Sequence, residues 1–438
     1  MTEKTSRADP LRAAVAPPGP KTFVGRFSWG LADQLLSSAT NFLFVALVAR
    51  TVTPRDFGAF SLAYATFTLS LGAFRALSGE PLVVRFSSVP ADLWRQGVKA
   101  SAGMVLVVGA AVGIGSLLTG VAIGGSLGGL LMILGLCLPV LLLQDTWRFA
   151  LFACGRGNAA LLNDATWAIV MFGVIAMLIE TDLSSVGWYT AAWAGAGCLA
   201  TLVGMLQVRL LPSPAGAVRW LVHQRDLGPR FLAEFVVSTG SSSLTLFGIG
   251  SLAGLAQLGR LRAGQVALGP LNILFGGANL VTVPESVRLL KESSQRLIRA
   301  SRWISAVLAV AVVLWCLVLL TIPEDVGELL LGKNWDGARS LLLPLSIGSV
   351  GFALAYGAMT GLRALGAARR SLRARYIDAT STVTFALSGA LLGGAIGAAW
   401  GFAIAGSLRI PNAWWQFARA LREYRTESRR TIVAETTI

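Results

Sequence analysis

The sequence predicts an all-α integral membrane protein of about twelve transmembrane helices, arranged as two six-helix bundles related by a parallel pseudo-repeat. Three observations carry this. Hydrophobic residues make up 54% of the 438 residues and charged residues only 13%, about half the share usual in soluble domains. With a mean hydropathy of +0.66, such a chain cannot cover itself with polar surface, so lipid must be its main solvent. Apolar runs near the ~20 residues that cross a bilayer recur twelve times. Finally, if successive loops alternate sides, one side holds 28 of the 37 Lys and Arg and the other holds 6, a strong positive-inside bias.

The elements follow in order. Residues 1–26 are polar and rich in Pro and Ala, without the basic-then-apolar order of a cleaved signal peptide. They read as a disordered tail that stays attached. The first bundle, 27–208, holds apolar segments at 27–49, 57–78, 100–123, 127–152, 161–179 and 187–208. Residues 209–230 contain Pro212, Pro214, Gly228 and Pro229 and read as a linker. The second bundle, 231–417, holds segments at 231–252, 263–284, 303–322, 340–361, 376–393 and 395–417. The basic tail 418–438 reads as a surface-lying helical end. The charge bias places both tails and the linker in the cytoplasm. The net charge of +15 is then a matter of topology and of attraction to anionic lipid, and needs no nucleic acid. The halves resemble each other weakly. A shift of 203 lays "PLVVR" (81–85) on "PESVR" (284–288), and a shift of 204 lays Ser37 and Ser38 on Ser241 and Ser242. A parallel repeat of two bundles is a transporter design, with the substrate path between them.

No catalytic chemistry is legible. Cys137, Cys154, Cys198 and Cys316 lie far apart with no CxxC and read as packing residues. The only histidine, His223, stands without clustered acids, which speaks against a metal site or a His-based triad. Neither a phosphate-cradling loop nor a dinucleotide fingerprint is present. The chain therefore reads as a non-enzyme with no cofactor and no metal.

What remains is charge and polarity inside the apolar segments, where an ionisable group costs at least ~2.5 kcal/mol. Asp33 lies on a polar helix face with Gln34, Ser37, Ser38 and Asn41. It is either a cavity or coupling-ion group, taking Na+ or H+, or an interfacial acid paired with an Arg. Glu234 carries the same two readings in the seventh segment. Asp145 and Arg148 are spaced i, i+3 and can pair on one face, with Asp164 as a further partner; Arg148 can alternatively face a substrate. In the eighth segment Asn272 and Asn279, with Pro270, Gly276 and Gly277, suggest an irregular helix facing a cavity. Arg75, Glu80, Pro81 and Arg85 crowd the end of the second segment, where Glu80 and Pro81 should stop the helix. They are either a snorkelling topology anchor or a basic cluster at the inner mouth of a cavity.

The stretch 29–85 is similar to the first helix pair of Wzx-type polysaccharide flippases, of the multidrug/oligosaccharidyl-lipid/polysaccharide export superfamily. The similarity rests on "NF" at 41–42, "VAR" at 48–50, "DFGAFSLAY" at 56–64 and "RALSGEPLVVR" at 75–85. The resemblance implies a two-lobed fold with a cationic central cavity. It implies alternating access that carries an undecaprenyl-pyrophosphate-linked oligosaccharide from the inner to the outer leaflet of a bacterial cell membrane. Arg75 and Arg85 then become candidates for the pyrophosphate, with Arg148 next, while Arg50 is structural. Partners would be the lipid-linked glycan, membrane lipid, and a polysaccharide polymerase and glycosyltransferases. Two further readings stand beside this one: a cation-coupled drug or small-molecule antiporter of the same superfamily, and a non-transporting membrane scaffold for glycan synthesis.

Overall fold

The computed structural model describes residues 20–87 and 89–436. Most of the expected N-terminal tail, 1–19, thus lies outside the described residues. Its last part does not extend the tail, because helix α1 already starts at Pro20 and runs to Thr51. Among the described residues the chain is all helical. The first six passages are α1, α2 (Pro54–Phe74) continuing through a π-turn (Arg75–Gly79) into α3 (Glu80–Phe86), α4 (Ala91–Ile123), α5 (Gly125–Ala153), α6 (Gly157–Glu180) and α7 (Val186–Val208). Then come α8 (Ala217–His223), α9 (Gly228–Phe235), a second π-turn (Val236–Gly240), α10 (Ser241–Ala253), α11 (Leu255–Ala267), α12 (Pro270–Glu292), α13 (Ser294–Thr321), α14 (Glu324–Leu331), α15 (Trp335–Ala364) and α16 (Ala368–Thr436).

Nine of the helical stretches among the described residues are long and apolar enough to cross a membrane. The bent pair α11 and α12, taken as one span, makes a tenth. The seventh segment is α9, a π-turn and α10 in series, and the eighth is the bent pair α11 and α12. The last two segments follow on as α16, broken where Gly393 and Gly394 leave helical geometry, Gly394 at φ +58°. A residue with a Cβ would be strained there. Beyond the break the chain returns on itself so closely that a Cβ on Gly389 would meet the Gly397 carbonyl. Close backbone approach at small residues is how helices gain contact in lipid.

The chain divides into two units, Met1–Val48 with Ala59–Gly240, and Ala49–Gly58 with Ser241–Ile438. Residues 209–230 fall within the first unit, which ends at Gly240. They fold α8 and start α9. In the first unit, α4 and α5 pack where Gly113 and Gly135 face each other's backbone, and Leu134, Leu138, Leu141, Trp147 and Trp193 are buried. In the second unit, α13, α15 and α16 bury Leu297, Ala355, Ala358, Leu362, Ala413 and Phe417 together. The hairpin 49–58 is held in that unit by Asn334. Its amide donates to the Ala49 carbonyl at 2.6 Å and the Val52 carbonyl at 2.9 Å, groups that the end of α1 leaves without helical donors.

Candidate functional site

Four helices of the first unit each turn a stripe of side chains to one place. On α1 the stripe is Asp33, Ser37, Thr40 and Asn41. On α2 and its π-turn it is Phe67, Leu71 and Arg75; on α5, Gln144, Asp145 and Arg148; on α6, Asn163, Asp164 and Trp167. All use the three- and four-residue spacings that share a helix face.

Arg148 is the hub. Its Nε donates to Asp33 Oδ2 at 2.9 Å, and its Nη2 reaches the same oxygen. Asp164 Oδ2 lies 3.3 Å from Nε and Asp145 Oδ1 3.6 Å from Nη1. Arg75 grips Asp145 in fork geometry, Nε to Oδ2 at 2.8 Å and Nη2 to Oδ1 at 2.6 Å, the arrangement that suits a planar guanidinium best. Gln144 Nε2 donates to Asp164 Oδ1 at 3.1 Å and to Asn163 Oδ1 at 2.8 Å, and Asn163 donates in turn to the Ala200 carbonyl at 2.7 Å. The two guanidiniums lie 5.7 Å from the Phe149 ring centre and 5.6 Å from that of Phe152. Two cations against three carboxylates leave one negative charge when all five groups are ionised.

The network borders a partly open cavity of about 70 Å³, room for a few waters. Arg75, Asp145, Arg148 and Asp164 line it together with Ser37, Asn41, Phe67, Trp167 and Trp193. The aromatic residues form one packed group. Phe67 and Trp193 meet edge to face at 4.8 Å, and Trp167 donates its indole N–H to the Trp193 carbonyl at 2.9 Å. Composition gave no signal for this wall.

The residues singled out from the sequence fare unequally. Asp33 does not face the cavity: it is fully buried beneath it, tied to Arg148, with its Oδ1 lacking a hydrogen-bond partner. Gln34 is exposed and bonds Ser38 at 3.2 Å. Asn41 lines the cavity and accepts from the Tyr64 hydroxyl at 3.3 Å. Arg75 and Arg148 are not open cations awaiting an anion, since carboxylates already hold both. Arg85 is engaged as well, donating to the His223 carbonyl at 2.6 Å, to Gln224 Oε1 at 2.9 Å and to Asp226 at 2.5 Å. That hydrogen bond holds the Asp226 carboxyl below the usual carboxylate range. Glu234, on α9, is exposed. In the second unit Asn272 and Asn279 are exposed on α12, and Arg363 Nη1 donates to Asn279 Oδ1 at 2.6 Å. None of these second-unit residues belongs to the Arg148 network.

Glu80 and Pro81 do not stop the second helix. The chain widens into the π-turn just before them and continues helical to Phe86, so that Pro81 sits in the first turn of α3, where a missing N–H is tolerated. Among the described residues one exposed group of carboxylates, Glu324, Glu328 and Asp336, comes within 4.8 Å and could hold a cation.

No model of a protein family matches the sequence, and a comparison with curated proteins finds no match either. Solved structures do match. A multidrug-resistance MATE family transporter of the MOP superfamily, in an inward-facing conformation, is 14% identical with a TM-score of 0.66, over 91% of this chain and 99% of that one. The lipid II flippase MurJ, in an inward closed conformation, is 12% identical with a TM-score of 0.68, over 91% of each chain. A Pyrococcus furiosus MOP superfamily transporter, described as having a binding pocket of reversed polarity, is 14% identical with a TM-score of 0.56, over 97% of this chain and all of that one. At such identities the likeness speaks for the fold: this chain is a multi-pass, all-helical membrane protein with the two-bundle fold of MOP superfamily transporters.

Proposed function

We propose that this protein is an ion-coupled membrane transporter that moves an anionic lipid-linked oligosaccharide from the inner to the outer leaflet of a bacterial cell membrane, with both termini cytoplasmic. The observation that carries the reading is the network of three carboxylates on two arginines beside a cavity in the first unit. Buried ions in lipid are costly and mark transport paths and proton relays. An odd carboxylate is a natural seat for a proton or Na+. Arg75 is the member an incoming anion can reach: its side chain is 36% exposed, against 9% for Arg148. A pyrophosphate oxygen can replace Asp145 on the Arg75 fork. Asp145 then closes on Arg148, 3.6 Å away, or takes up a proton. Headgroup arrival and cation uptake are thereby linked through one carboxylate. The resemblance of 29–85 to Wzx-type flippases and the fold shared with a lipid II flippase both support a lipid-linked glycan as cargo.

A second reading is export of lipophilic cations. The same cavity supports it, through its excess of carboxylate and its wall of Phe67, Trp167 and Trp193, since ring faces attract cations. One experiment separates the two. The purified protein in vesicles is offered a fluorescent undecaprenyl-pyrophosphate glycan and, separately, a fluorescent lipophilic cation, each with and without a proton or sodium gradient. Gradient-dependent flipping of the glycan lipid, lost in Arg75→Ala, supports the flippase. Gradient-driven cation export with no glycan flipping reverses the assignment.

A further inference from the structure

The linker between the bundles reaches the charge site through one hydrogen bond, and the reason for that bond is Pro81. In an α-helix the carbonyl of Leu77 would accept from the N–H of residue 81, but proline has none. The donor comes instead from outside the helix: Trp220, on α8, gives its indole N–H to the Leu77 carbonyl at 2.9 Å. Trp220 is 3% exposed and stacks on Phe86, ring centres 5.8 Å apart. Gly228 closes on the same residue, where an added Cβ would lie 3.3 Å from the Leu77 side chain.

Leu77 is the middle residue of the π-turn Arg75–Gly79, in which Glu80 donates to the Arg75 carbonyl five residues back. A π-turn holds one extra residue, and at 3.6 residues per turn that residue is worth about 100° of rotation. The register of this turn therefore fixes two directions at once. Below it Arg75 meets Asp145; above it Arg85 meets Gln224 and Asp226. If the turn relaxed to α-helix, only one of the two arginines could keep its partner.

We infer that Trp220 is a positioning residue: by donating to the Leu77 carbonyl that Pro81 leaves without a donor, it holds the π-turn and thereby aims Arg75 at Asp145. A donor fixed outside the helix at the Leu77 carbonyl favours the register that brings that carbonyl to it, here the π register, as any ligand favours the state it binds better. The inference rests on the proposed function only for what the Arg75–Asp145 pair is used for. The geometry stands without it.

The test is chemical cross-linking in the full-length protein, read by peptide mass spectrometry. Cysteines at 75 and 145 (Arg75→Cys with Asp145→Cys) are bridged by a short bifunctional thiosulfonate, and cysteines at 33 and 148 serve as the control pair. Each pair is placed in three backgrounds: unaltered, Trp220→Phe, which keeps the ring and loses the N–H, and Pro81→Ala, which gives Leu77 a donor inside the helix. Loss of one hydrogen bond's bias corresponds to about a tenfold shift in population. The 75–145 rate should fall by about that factor in both variants while the 33–148 rate holds. Three outcomes overturn the proposal: no fall in the 75–145 rate, a fall in Trp220→Phe but not in Pro81→Ala, or an equal fall at the control pair, which would make Trp220 a general packing residue. None of these readouts depends on transport, so a failure here leaves the flippase reading intact, and a failure to flip glycan leaves the positioning role intact.

Discussion

The Arg148 hub makes a quantitative prediction about charge. Replacing Arg148 with Gln leaves Asp33, Asp145 and Asp164 without their shared cation, and the network's formal charge goes from −1 to −2. Asp33 is fully buried, and the Asp145 and Asp164 side chains are each 9% exposed. Removing one partner of a buried ion pair typically costs about 3–5 kcal/mol. Replacing Asp33 with Asn takes the network to zero instead. Arg148 keeps Asp164 at 3.3 Å and Asp145 at 3.6 Å, so the loss is one charge-assisted contact, about 1–3 kcal/mol. The double variant restores −1. It should therefore be less harmful than the sum of its parts, by roughly 1–3 kcal/mol of coupling. The measurement is thermal denaturation of the detergent-purified variants, followed by fluorescence-detected gel filtration, with membrane abundance checked alongside. Arg148→Gln no worse than Asp33→Asn, or a double variant whose loss equals the sum, would sink the account of Arg148 as a shared counter-ion.

Other sites give smaller, independent tests. Asn334→Ala should cost about 1–3 kcal/mol of stability, since two carbonyls at the end of α1 lose their buried donor; Asn334→Asp, which cannot donate, should be no better. Gly58→Ala should sharply lower folded yield, because a Cβ there overlaps the Leu255 carbonyl, and backbone cannot move aside as a flexible side chain can. The Asp226 carboxyl is held below its ordinary range by Arg85, so its contribution is present above the unfolded carboxyl's pKa of about 3.9 and is lost as pH falls through the lower folded value. A spin label at position 222 should therefore keep one spectrum from neutral pH down to about pH 4 and become mobile only below it, whereas Asp226→Asn should be mobile already at neutral pH.

The membrane class and most spans were legible because a lipid solvent leaves its mark on every residue of a run. Breaks in those runs were legible only in part. The division between the last two segments, 376–393 and 395–417, falls on the break at Gly393 and Gly394, whereas the two π-turns leave no periodicity to read. Within the site, the contact of Asp145 with Arg148 was visible because it is local, three residues along one helix. The contact of Arg75 with Asp145 joins residues 70 positions apart, and no spacing rule reaches so far. That distance also explains why Arg75 read as an open anion site: a sequence shows a charge, but not the carboxylate folded onto it. Pro81 was misjudged for a related reason. Its missing N–H ends a helix only if the stranded carbonyl finds no other donor, and the donor, Trp220, lies 143 positions from Leu77.

The pseudo-repeat sharpens one last test. The shift of 204 that aligns the serine pairs also lays Arg75 on Asn279. In the first unit the helix-2 residue is a guanidinium, and α5 answers with the carboxylate of Asp145. In the second unit the related position is an amide, and α15 answers with the guanidinium of Arg363. The bridge survives with its charge moved: Asp145 neutralises its arginine, whereas Asn279 brings no charge to Arg363. If the protein flips an anionic headgroup, this asymmetry adds Arg363 of the second unit as a further attraction for it in addition to Arg75, while cation coupling stays with the acid-rich first unit alone. Arg363→Gln should then raise the glycan-lipid concentration needed for half-maximal flipping by about 10- to 100-fold, the worth of a charge-assisted hydrogen bond of about 1.5–3 kcal/mol, while the dependence on the ion gradient stays as it was. Asp33→Asn should do the converse, flattening the gradient dependence with little change in half-saturation. Variants that alter the same parameter, or an Arg363→Gln protein that flips with ordinary half-saturation, would show that the two units do not share the work this way.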